Sequence, residues 1–129
     1  MKKIFLSIKV IFHIVNIILV LLYIYPGSIL GWIVYDNIRK QPNLTSDFVI
    51  FSSNHVYAFV FLSLLGLFSY YKNRAKQLFL YLFSASIILE ISHFFIPERS
   101  FQYQDLFGNF FGVLLIFIIF NLYKLYRKN

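Results

Sequence analysis

Four apolar runs dominate the chain: residues 4–25, 48–71, 78–96 and 105–123. A helix needs about 20 residues to cross the hydrocarbon core of a bilayer. Inside that core every backbone amide must be paired within the protein, so helices and closed barrels are the only spanning forms. Runs of this length are helical spans rather than barrel strands, which take about half as many residues. Composition agrees. The chain is 60% hydrophobic and only 13% charged, whereas soluble domains run near half apolar and a quarter charged. The expectation is an all-α polytopic membrane protein, a bundle of four transmembrane helices within one domain, 1–129. The start, Met-Lys-Lys and then apolar residues, reads as a retained anchor. Lys9, His13 and Asn16 interrupt what would be the apolar region of a signal peptide, and no small-residue cleavage site follows.

The net charge of +7 has a place as well as a sign. Lys2, Lys3, Lys9, Lys72, Arg74, Lys76, Lys124, Arg127 and Lys128 fall on one side of the predicted spans; Arg39, Lys40 and Arg99 fall on the other. Bases gathered at the ends of apolar runs set orientation, so both termini are expected in the cytoplasm. The acidic residues Asp36, Asp47, Glu90, Glu98 and Asp105 all belong to the opposite, outer half. This distribution argues against nucleic acid as a partner. With no cysteine there is no disulfide framework and no thiolate metal site.

Between the spans the chain is short of soluble surface. Pro26-Gly27 ends the first run, and Trp32 with Tyr35 suits a short segment at headgroup level. Asn43-Leu44-Thr45 matches the glycosylation sequon without other support. Residues 72–77 form a basic turn, and 97–104 a short loop with Pro97 and Arg99. Lys9, His13 and Asn16 share one helix face. That stripe predicts a snorkelling Lys9 and hydrogen bonds from the other two to neighbouring helices.

Polar groups are costly in hydrocarbon, and residues 88–112 hold many: Glu90, His93, Glu98, Arg99, Asp105 and Asn109. At about 1.5 Å of rise per residue, His55, Glu90, His93, Asp105 and Asn109 reach one layer roughly 10 Å or less below the outer surface. The predicted arrangement is an outer-leaflet polar pocket lined by those five residues, with Arg99 over its mouth. Gly108 and Gly112 form a small-xxx-small pair that admits a neighbouring helix. Read plainly, the same groups also serve to pair with one another and fix helix register.

These residues resemble the VanZ-like family of small bacterial membrane proteins. The resemblance rests on His55 with Ala58-Phe59, Leu89-Glu90-Ile91-Ser92-His93, Pro97-Glu98-Arg99-Ser100 and the Asp105…Asn109…Gly112 helix start. His93 stands where the family pattern has Gln, and Phe51-Ser52 where it often has Asp-Lys. The resemblance implies a multi-pass protein of the bacterial cytoplasmic membrane, linked to glycopeptide (teicoplanin) resistance or to exopolysaccharide and envelope biogenesis.

The function expected first is binding of an anionic lipid, a polyprenyl phosphate or a lipid-linked glycan, by Arg99 with His55, His93 and Asn109. The alternative is a membrane enzyme in which Glu90 works as an acid/base with His93 or His55 and Asp105 orients an imidazole; no Ser or Cys sits in a nucleophile motif. A further alternative is an accessory subunit whose partners are other membrane helices. His55, Glu90 and His93 contain the residue types of a two-His-one-carboxylate metal set. Hydrogen-bonded neutral histidines are the plainer reading, so neither metal nor cofactor is expected.

Overall fold

The described residues form five helices: α1 (Lys2–Ile24), α2 (Ile29–Tyr35), α3 (Ser53–Tyr70), α4 (Ala75–Ser92) and α5 (Tyr103–Lys128). The computed structural model describes residues 2–72 and 74–128. Met1, Asn73 and Asn129, from the predicted anchor, basic turn and basic tail, lie outside the described residues. Among the described residues there is no strand. Four helices, α1, α3, α4 and α5, are long and apolar enough to cross a membrane.

The boundaries differ from the apolar runs in instructive ways. Helix α3 starts at Ser53, not at 48, although Phe48-Val49-Ile50-Phe51 are apolar. Asp47 accepts hydrogen bonds from the Ser53 amide at 2.9 Å and its hydroxyl at 3.2 Å, fastening the helix start where a capping side chain belongs. Helix α4 ends at Ser92 with His93 as its C-cap, and residues 93–98 are turns and a bend. Helix α5 runs on through the basic tail to Lys128, where Arg127 and Lys128 complement the carbonyl end of the dipole.

The short helix α2 shows why the 26–47 connection is ordered. Ser28 caps it, its hydroxyl accepting from the Gly31 amide at 2.9 Å. Asp36, with φ 51°, closes its other end in the left-handed region. The chain then folds back so tightly that a Cβ on Gly31 would collide with the Lys40 carbonyl. Trp32, Ile33 and Val34 stay exposed, as a segment at a membrane interface requires.

Helix directions follow from the pairs they make. His13 meets Tyr70 and Tyr23 meets His55, so α1 and α3 are antiparallel. Asn16 meets Tyr81 and Tyr23 meets His93, so α1 and α4 are parallel. Phe79 packs on Phe117 and Asn109 on Ser86, so α4 and α5 are antiparallel. The start of α1 and the end of α5 therefore lie at the end of the bundle where α3 gives way to α4. The opposite end carries the 25–52 and 93–102 connections.

Each long helix buries one stripe. Phe12, Leu19 and Tyr23 serve α1; Val56, Phe59, Leu62 and Ser63 serve α3. Leu78, Leu82, Ser86 and Leu89 serve α4; Gly108, Asn109, Gly112, Val113 and Ile116 serve α5. The remaining faces present Ile, Leu and Phe outward, which water would penalise and lipid tails accept. The stripe of Lys9, His13 and Asn16 makes interhelical bonds: His13 Nε2 to Tyr70 Oη at 2.8 Å, and the Tyr81 hydroxyl to Asn16 at 2.8 Å. The Lys9 ammonium sits 5.2 Å from the Tyr70 ring centre.

Candidate functional site

The polar layer lies at the end of the bundle opposite the termini. Its hub is Asn109, fully buried two turns into α5. The Asn109 amide donates to the Ser86 carbonyl of α4 at 3.3 Å, which turns its oxygen toward α1 and α3. The Tyr23 hydroxyl donates to that oxygen. His55 Nδ1 lies 2.9 Å from the same oxygen and 2.8 Å from the Tyr23 hydroxyl. Tyr23 has one hydrogen and spends it on Asn109, so both neighbours of Nδ1 act as acceptors. Nδ1 must therefore carry a proton. The other nitrogen, Nε2, faces Asp105 Oδ2 at 3.5 Å.

A second pair sits beside it. Glu90 is fully buried near the end of α4. Its Oε1 accepts from the Gln102 amide at 3.0 Å and lies 3.2 Å from His93 Nδ1. His93 Nε2 donates to the Tyr23 carbonyl at 3.1 Å, and its ring stacks on the Tyr23 ring with centres 5.8 Å apart. Glu90 Oε2 has no hydrogen-bond partner among the described residues.

Arg99 does something spacing alone does not show. Its Nε donates to the Tyr25 carbonyl at 3.2 Å, and Nη2 donates to the Leu22 carbonyl. With His93 on Tyr23, two cationic or donor side chains satisfy the carbonyls that α1 leaves unpaired at its C-terminal end. Burial pushes the Arg99 guanidinium below its usual value, while the Glu90 and Asp105 charges favour its charged form. Arg99 thus flanks the layer as a helix cap and still lines the cleft above it.

That cleft has a volume of about 770 Å³. Its lining includes the polar side chains of His55, His93, Arg99 and Asp105 and the apolar ones of Leu19, Leu22, Leu30 and Phe61. Glu90 and Asn109 stand behind the lining rather than in it. At the rim Arg39 pairs with Glu98 at 3.0 Å, both side chains well exposed. Asn43, of the sequon, accepts from Asn54 at 3.1 Å. Gly108 and Gly112 do not line the cleft; they lie against α3 just beneath it.

The possible metal ligands regroup. One atom each from His55, Glu90 and Asp105 lie within 4.8 Å of one another. His93, the ligand that spacing suggested, has both ring nitrogens engaged elsewhere. Tyr23 is the member of this polar layer that sequence reasoning misses. A signal existed, because Tyr23 lies seven residues beyond Asn16 and continues the Lys9, His13, Asn16 face.

Four membrane-length helices that hold a buried polar layer beside a cleft define a polytopic helical membrane protein. The chain belongs to the VanZ/LLP1 family, whose model matches residues 10–124. No curated protein and no solved structure matches it.

Proposed function

We propose that the cleft receives the polar head of an anionic lipid, a polyprenyl phosphate or a lipid-linked glycan, from the outer leaflet of the bacterial cytoplasmic membrane. The observation that carries this reading is one cavity with two chemistries. Arg99 and Arg39 supply cations and donors, and Leu19, Leu22, Leu30 and Phe61 supply apolar surface for an acyl or prenyl chain. Phosphate is matched by the planar donor fork of arginine. Arg99 keeps Nη1 for a ligand after capping α1. Arg39 is held only by an exposed ion pair, which costs little to exchange for a phosphate. Family membership supports a setting in envelope polysaccharide biogenesis or teicoplanin resistance.

Native mass spectrometry of protein purified in mild detergent is expected to show a retained anionic lipid, reduced at least tenfold in the Arg39→Ala/Arg99→Ala double variant. Bare protein in both samples, or equal lipid in both, would count against the reading. The outer-leaflet placement needs both termini in the cytoplasm, the orientation that the Lys and Arg distribution favours. A reporter fused after Lys128 is expected to score as cytoplasmic, and an external score would put the cleft on the wrong face.

A further inference from the structure

We infer that His55, Asp105 and Glu90 form a binding site for one divalent transition-metal cation. Three observations converge on it. The first is the edge between His55 and Asp105. Tyr23 and Asn109 occupy His55 Nδ1, and Nε2 is aimed into the layer at a carboxylate oxygen 3.5 Å away. The second is the third donor. One donor atom each of His55, Glu90 and Asp105 lie within 4.8 Å of one another, and Glu90 is fully buried with Oε2 without a partner among the described residues. A proton on the His55–Asp105 edge leaves Glu90 Oε2 unsatisfied. A cation satisfies all three donors at once.

The third observation is the support around the ligands. A metal-bound imidazole usually donates its other N–H to an oxygen, which fixes tautomer and ring orientation. Asn109 and Tyr23 already do this for His55. The spacing also fits. Bonds of about 2.0–2.1 Å in tetrahedral geometry put ligand atoms about 3.3 Å apart. The His55–Asp105 edge is at 3.5 Å. With all three atoms within 4.8 Å of one another, Glu90 has at most about 1.5 Å to close. One imidazole and two carboxylates suit Zn²⁺ or Mn²⁺, and their two negative charges balance the ion in a low-dielectric layer. His55 and Asp105 line the cleft, so an ion has a route in and an open coordination position facing the cavity. The inference does not depend on what else occupies the cleft.

The test uses the full chain, tag removed, stripped of metal in detergent, and then offered Zn²⁺, Mn²⁺ or Co²⁺ alone. After desalting, elemental analysis is expected to find close to one ion per chain for at least one of them. Asp105→Asn and Glu90→Gln, both near-isosteric, are expected to weaken binding tenfold or more. His13→Ala, at the other end of the bundle, should leave it unchanged. Bound Co²⁺ should show the intense visible bands of a four- or five-coordinate site. That spectrum needs no variant, so it decides even where a substitution unfolds the protein. Folded protein that takes up none of the three ions, a Co²⁺ spectrum no different from the hydrated ion, or equal binding by Asp105→Asn, Glu90→Gln and the unaltered chain would each overturn the inference.

Discussion

Gly112→Leu is expected to cost about 3 kcal/mol or more and to leave little folded protein. Helices α3 and α5 run parallel and touch backbone to backbone. A Cβ at Gly112 would lie 2.8 Å from the Val56 carbonyl oxygen, 2.9 Å from Phe59 Cβ and 3.1 Å from the Val60 nitrogen. One turn earlier, a Cβ at Gly108 would lie 2.8 Å from the Ser52 carbonyl oxygen and 3.0 Å from His55 Cβ. None of these neighbours can rotate away, because each is backbone or the first atom of a side chain. The helices must part instead. Parting them also withdraws His55 on α3 from Asn109 on α5, whose bond is 2.9 Å, so packing and polar layer fail together. Gly66→Ala is the matched control. Its added Cβ would meet Leu78 Cδ1 at 2.7 Å and Phe12 Cε2 at 2.9 Å, the far ends of flexible side chains. That change is expected to cost under about 1.5 kcal/mol. Thermal unfolding in detergent, read with the monodisperse fraction on a sizing column, checks both. Equal stability of the two variants would mean that the α3–α5 approach is not what limits the fold.

The spans were legible because bilayer thickness and backbone pairing leave a long apolar run few alternatives. The polar layer was legible for a related reason: Glu90 and Asn109 stand out in hydrocarbon, and rise per residue gives their depth. Rotation about the helix axis is harder to read. Glu90 and His93 share a face of α4, yet His93 turns onto Tyr23, and it is Asp105 that joins His55 and Glu90. Which of two residues at one depth meets a third depends on how helices roll against one another, and Gly108 and Gly112 set that roll through contacts distant in sequence. Arg99 shows the same limit. Spacing puts it in a loop; only the fold shows that the loop reaches back to the carbonyls of Leu22 and Tyr25. Tyr23 escaped because an aromatic residue near the end of an apolar run is unremarkable until its hydroxyl is seen between His55 and Asn109. Phe48 to Phe51 misled for the opposite reason, since hydropathy counts them as span while Asp47 fastens the helix start at Ser53.

Glu90→Leu is expected to destabilise the protein by about 3 kcal/mol, because it leaves two buried hydrogen-bonding groups without a partner, each costing about 1–3 kcal/mol. Leucine fits the volume but offers no acceptor. The Gln102 amide, bonded to Oε1 at 3.0 Å, would be left without its partner where the 93–102 connection enters α5. His93 Nδ1 would lose its partner at 3.2 Å, and His93 is what satisfies the Tyr23 carbonyl at the end of α1. One substitution thus loosens the junction of α1, α4 and α5. Glu90→Gln separates anchoring from charge. A Gln side chain keeps an oxygen for the Gln102 amide, so its expected cost is smaller, about 1 kcal/mol. Amide hydrogen exchange gives the local readout. The Gln102 amide should stay protected in the unaltered protein and in Glu90→Gln, and should exchange quickly in Glu90→Leu. Fast exchange in all three would show that the Glu90–Gln102 bond does not hold the connection. Slow exchange with unchanged stability in Glu90→Leu would show that the buried carboxylate contributes nothing to the fold. A protein that tolerates Glu90→Gln in stability but loses its cation would separate the two roles of this carboxylate: Oε1 holding the loop, and the carboxylate as a whole completing the site with His55 and Asp105.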